Sequence, residues 1–220
     1  MNIRTMVLSV LAICVIGAVA SASASAALPE QVPASGKLTI SSGASVFETK
    51  AGEKVSCTKD SGSGEITGPK TSTATATFEG CSASLIGIKV KCQTGAIEGN
   101  IVTELKNELA YINKAKKEVG LDSVLAKELT IKCGTFETLK VKGSTVCPVS
   151  PINTKTKTLT LSCKQTKGVQ SPTEFENEKG EKVKDITETK GEGLKSFGFE
   201  QSGLTSTETL TLATEGEIKA

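Results

Sequence analysis

The chain has no histidine, no tryptophan, one tyrosine and six phenylalanines in 220 residues. Its only arginine is Arg4, so every later basic residue is a lysine. Each absence closes off some chemistry. Without imidazole there is no Ser–His or Cys–His nucleophile pair, and the usual general base near neutral pH is missing. Zinc sites that need a histidine ligand are excluded. Without further arginine, the bidentate reader of phosphate and guanine is gone. The 26 basic and 24 acidic residues nearly cancel. No strong field therefore points to nucleic acid or to an anionic membrane surface. Paired carboxylates remain possible catalysts, but sugar-cleaving sites normally add aromatic platforms that this composition scarcely supplies.

What is present begins with an export signal. Asn2 and Arg4 give a short positive start, Met6–Ala20 is an apolar run, and Ala24-Ser25-Ala26 closes it with small residues. That order predicts a signal peptide over 1–26 and a secreted single β-domain over 27–220, with no membrane span in the mature chain. Cys14 lies within the apolar run. Its context resembles a lipid-attachment box, but the box wants a small residue before the cysteine, and Ile13 is not small.

Six cysteines remain: Cys57, Cys81, Cys92, Cys133, Cys147 and Cys163. An even count in an exported chain reads as three disulfides, and no C-x-x-C occurs to suggest a redox motif or a zinc ribbon. Two strand-like runs, Thr138–Cys147 and Thr156–Cys163, flank a turn-rich connector, so Cys147 is expected to meet Cys163. Cys81 and Cys92 flank a short loop plus strand and are expected to pair. That leaves Cys57 with Cys133.

Alternation of apolar and polar residues dominates the chain. Ala44–Thr49 and Lys54–Thr58 read as a hairpin around 50–53. Thr71–Phe78 reads as a strand with one small-residue face. Ile86, Ile88, Val90 and Cys92 read as the buried face of another strand. Residues 101–112 are read as strands, and 122–127 as the only helix, a short one. A hairpin tip is expected at Asn177–Gly180, and alternation returns over Glu200–Ile218. The fold class is all-β: one antiparallel sandwich or barrel with at most one short helix.

Few residues stand out as chemistry. Asp60-Ser61-Gly62-Ser63-Gly64-Glu65 has the oxygen ligands and glycines of a calcium loop but lacks its full carboxylate set, so an ordinary turn is the expectation. Lys114-Ala115-Lys116-Lys117 is a basic loop tip that could meet an anionic wall polymer. Tyr111 reads as half-buried packing. Glu174, Glu176 and Glu178 would share a strand face as a charged edge. No catalytic residue, cofactor site or metal site is assigned.

The runs Val55-Ser56-Cys57-Thr58, Gly64-Glu65-Ile66-Thr67-Gly68-Pro69-Lys70 and Phe78-Glu79-Gly80-Cys81 resemble a group of uncharacterised secreted proteins of actinobacteria. So do Tyr111-Ile112-Asn113-Lys114, Val119-Gly120-Leu121, Val141-Lys142-Gly143-Ser144 and Glu217-Ile218-Lys219-Ala220. The resemblance implies export and a shared β-fold and brings no activity with it. The expected function is a secreted, non-catalytic extracellular or cell-wall-associated protein with a structural or binding role, its partner a cell-wall or extracellular polymer. The alternative is a secreted carboxylate-dependent hydrolase of glycosidase type. Two carboxyl groups converging in a cleft, about 5–10 Å apart, would mark it. The carboxylates that the sequence places fall on turns and outward positions, so no such pair is expected.

Overall fold

A computed structural model describes residues 29–220 except 178 and 179, so the expected signal peptide and Glu178 lie outside the described residues. Among the described residues there are strands and connections and no helix. In chain order the strands are β1 (Glu30–Val32), β2 (Gly36–Ser42), β3 (Ser45–Thr49), β4 (Lys54–Cys57), β5 (Lys59–Ile66) and β6 (Thr71–Glu79). Then come β7 (Ser82–Leu85), β8 (Ile88–Gln93), β9 (Ile101–Asn113), β10 (Glu118–Leu125), β11 (Leu129–Cys133) and β12 (Glu137–Ser150). The last are β13 (Thr156–Thr166), β14 (Val169–Ser171), β15 (Glu174–Glu176), β16 (Lys182–Lys184), β17 (Thr187–Gly193) and β18 (Phe197–Lys219).

All pairings are antiparallel, and they close on themselves twice. One ring runs β2–β5–β6–β9–β10–β12–β13–β18 and back to β2. The other runs β3–β4–β7–β8–β11–β12–β17–β18 and back to β3. The fold is thus two barrels stacked end to end, and β12 and β18 are long enough to serve both. Closure removes the free edges that would otherwise template aggregation. Each barrel has its own core. Leu38, Ile40, Leu109, Val149, Leu159, Leu161, Leu210 and Leu212 fill the first. Val55, Leu85, Ile131, Leu139 and Val141, with the sulfurs of Cys57, Cys81, Cys92 and Cys133, fill the second. Period-2 alternation gives each wall an apolar inside and a polar outside.

The all-β class and the 45–57 hairpin are as the sequence predicts, and 101–112 is extended as expected but forms one strand, β9, in place of two short ones around Lys106-Asn107. At the expected hairpin tip, Gly180 N–H donates to Asn177 O at 2.9 Å and β15 pairs with β16. Three local expectations fail. Asp60–Gly64 is the interior of β5 and not a turn. Its glycines answer to crowding: a Cβ on Gly64 would lie 2.5 Å from Thr73 O and 3.1 Å from the Leu38 side chain. Residues 122–127 form no helix, because 118–125 is a strand paired on both flanks, with β9 and with β12. Ladder bonds on two sides outweigh the local helical preference. Ile86 and Ile88 are exposed, since they project past the open end of the second barrel. Only Val90 and Cys92 of that stripe turn inward.

The disulfides are Cys57–Cys81, Cys92–Cys133 and Cys147–Cys163. Cys147–Cys163 is as expected, and the other two pairings correct the sequence reading. Cys57, Cys92 and Cys133, with Cys81 directly before β7, form one row across β4, β7, β8 and β11. Cys81 and Cys92 are indeed opposite each other, but Cys92 N–H donates to Cys81 O at 3.0 Å. Hydrogen-bonded pairs hold their Cα atoms about 5.5 Å apart, and the alternate pairs sit closer, near 4.5 Å. The bridged pairs are the close ones, with Cα separations of 4.0 Å for both.

Candidate functional site

Burial brings together carboxylates that are far apart in the chain. On the inner face of the first barrel, β2 lies between β5 and β18, and Ser42 is directly opposite both Asp60 and Glu208. Asp60 is 3% exposed, and its carboxylate makes no well-formed hydrogen bond, the nearby Ser42 hydroxyl donating to Gly43 O at 2.9 Å and opposing the effect of burial only in part. Burial raises its pKa. Glu208 is pushed up to about 7, by burial first and by the Asp60 charge second, against a 3.0 Å hydrogen bond donated by the Ser206 hydroxyl. Glu208 faces a cavity of about 130 Å³ where the two barrels meet. Apolar side chains line most of it, including Ile40, Val55, Ile131, Val141 and Leu161. Small-molecule sites typically enclose about 300–1,000 Å³. This chamber is smaller, and Asp60 is not among its lining residues.

A second acidic pair lies outside the barrel wall, beneath the β15–β16 hairpin. Asp185 accepts from Val146 N–H at 2.5 Å and from the Ser144 hydroxyl at 2.8 Å. Asp122, opposite Val146 in the ladder, is pushed up to about 6, chiefly by burial, then by the charges of Asp185 and Glu108, with Ser144 opposing. Phe175 covers this corner together with Ala110 and Val146. The expectation that carboxylates stay on turns and outward, well-hydrated positions therefore fails for Asp60, Asp122, Asp185 and Glu208. Their sequence neighbours look like ordinary surface strands, and only the folded arrangement desolvates them.

The outer face of the first barrel is built differently. Ladder registers align Thr158, Thr211, Thr39, Ser63 and Thr75 in one row across β13, β18, β2, β5 and β6. Thr160, Thr209, Ser41, Ser61 and Thr77 form the next. Neighbours are about 4.8 Å apart along a row and about 6.8 Å apart along a strand. Within the two rows the only hydroxyl bonded to another protein group is that of Ser61, which donates to Glu79 at 3.2 Å. The first row, apart from Thr158, borders a trough of about 850 Å³ that crosses the strands. Its other border carries Lys37, Glu65, Thr73 and Lys106, and its floor is the backbone around Leu38, Gly64, Ala74 and Leu212. The Thr-x-Thr and Ser-x-Ser runs are visible in the sequence, but the register that aligns them is not.

The remaining candidates are quieter. Lys114–Lys117 is the exposed β9–β10 turn, and Lys114 is held by Glu176 at 3.0 Å. Tyr111 is buried more fully than expected and belongs to the first core. Glu174 and Glu176 flank the inward Phe175. Among the described residues no group of acids and cysteines could hold a metal ion. No helix among them is long and apolar enough to cross a membrane.

No family model, no curated protein and no solved structure matches this chain.

Proposed function

We propose that this is a secreted, non-catalytic extracellular module that binds a polyhydroxylated cell-wall or extracellular polymer in the trough of the first barrel. The carrying observation is the alignment of Thr211, Thr39, Ser63 and Thr75 along a trough of about 850 Å³. Exposed hydroxyls without protein partners offer donors and acceptors in pairs, as a sugar's own hydroxyls do. Lys37, Lys106 and Glu65 on the far border add charged hydrogen bonds. Five strands at about 4.8 Å each give the groove roughly 20 Å of length, which suits a chain more than a compact ligand. Three disulfides are typical of oxidising compartments and support the extracellular assignment.

The test is retention of the purified protein on cell-wall fractions and extracellular polysaccharides. Saturable binding that drops roughly tenfold in Thr39→Val/Thr75→Val/Thr211→Val, about 1.4 kcal/mol, supports the reading. Unchanged binding in that variant, or none in the wild type, defeats it. A hydrolase reading draws on the Asp60–Glu208 pair, but the chamber beside Glu208 is too small for a sugar chain. Turnover of a glycan that vanishes in Glu208→Gln would reinstate it.

A further inference from the structure

The net charge of the chain is near zero, but its distribution at one end of the molecule is not. In the second barrel the turns at 50–53, 86–87, 134–136 and 194–196 all lie at the end remote from the first barrel, because β12 and β18 both run from that end towards the junction. These turns carry apolar side chains into solvent. Ile86 is 75% exposed, Ile88 56%, Leu194 49% and Phe136 48%. The β7–β8 turn is the most telling. It is a two-residue loop, Ile86-Gly87, with φ of 46° and 82°. Such turns favour Asn or Gly first, and a β-branched residue with positive φ is strained. The chain accepts that strain to present an isoleucine at its tip.

Lysines outnumber carboxylates around this end. Several carboxylates here are paired, Glu48 with Lys54, Glu53 with Lys195, and Glu192 with Lys140 and Lys190, whereas the exposed Glu98, near Lys91, makes no ion pair. Glu137 accepts from Lys195 N–H at 3.0 Å and Glu200 from Ala51 N–H at 2.6 Å. Lys50, Lys89, Lys91 and Lys132 are exposed and make no ion pair. Four apolar tips inside a set of unpaired lysines is the pattern of a surface that enters the headgroup region of an anionic bilayer. The barrel wall is not built to span one, since its outward rows are hydroxyls and charges where a transmembrane barrel needs an apolar band.

We propose that the far end of the second barrel docks reversibly on an anionic lipid surface, with Ile86, Ile88, Phe136 and Leu194 inserted at headgroup depth and the lysines on the lipid charges. Docking there leaves the trough on the side wall of the barrel farther from the membrane. The test is co-sedimentation of the purified, disulfide-bonded protein with vesicles of phosphatidylglycerol plus phosphatidylcholine, and with phosphatidylcholine alone. Binding should favour the anionic vesicles and weaken with salt. It should fall roughly tenfold both in Ile86→Ser/Ile88→Ser/Leu194→Ser and in Lys50→Gln/Lys89→Gln/Lys91→Gln. Failure of the wild type to sediment overturns the proposal, as does equal binding of either variant. So does wild-type dimerisation in sedimentation velocity that the apolar variant abolishes, because the patch would then belong to a second copy. Retention of polymer binding by both variants keeps this result separate from the fate of the trough.

Discussion

Asp60 and Glu208 face each other across Ser42 on the inner wall of the first barrel, two acids on the strands that flank β2 with no cation between them. Both carboxyl groups therefore resist ionisation in the folded state. The unfolded chain ionises Glu208 near 4.5 and the folded one near 7. This group's contribution is complete below the lower value and is lost as pH rises through the upper one. Stability is expected to be greater at about pH 5 than at about pH 8, by on the order of 2 kcal/mol. Glu208→Gln should flatten that profile and stabilise the protein on the alkaline side. Urea midpoints across pH give the answer, and a wild type more stable at the alkaline end would contradict it.

Non-reducing peptide mapping should find Cys57–Cys81, Cys92–Cys133 and Cys147–Cys163. Closing a longer loop restrains the unfolded chain more. Cys92–Cys133 spans 41 residues and Cys147–Cys163 spans 16. Replacing both cysteines by alanine should cost about 3 kcal/mol for the shorter loop and about 1 kcal/mol more for the longer one. Denaturant titration of the two double variants compares them directly.

Asp185 and Asp122 should respond in opposite ways. Asp185→Ala strips the buried Val146 N–H of its acceptor and is expected to cost about 2 kcal/mol. It should also expose the β15–β16 hairpin to protease. Asp122→Asn removes a desolvated charge beside another acid and is expected to be neutral or stabilising near neutral pH. Thermal melts with limited proteolysis separate the two, and equal losses would mean that the corner is held by packing alone.

Gly143 marks the point where β12 passes from the second barrel to the first. Its φ is 102°, and an added Cβ would overlap the Ile186 carbonyl. Gly143→Ala should cost roughly 3 kcal/mol. Gly198→Ala, where a Cβ meets nothing within 4 Å, should change stability by less than about 1 kcal/mol. Chemical denaturation of the pair is the check.

The all-β class, the hairpin over 45–57 and the strands on both sides of Cys147 and Cys163 were legible because period-2 alternation and local turn residues specify them without reference to the rest of the chain. Cys147–Cys163 followed, since its two strands are neighbours in sequence as well as in space. Tertiary structure decided everything that depends on which strand lies beside which. Cys57–Cys81 and Cys92–Cys133 follow from a single row across four strands, where alternating hydrogen-bonded and open positions select the partner. Gly62 and Gly64 read as a turn until β6 is placed against them. Asp60 and Glu208 are 148 positions apart in the chain and become neighbours only through the pairing of β2 with both their strands. The Ser and Thr residues that look like ordinary solvent-facing strand residues become two aligned rows for the same reason. A strand's sequence sets its two faces, and closure of the barrels sets what each face meets.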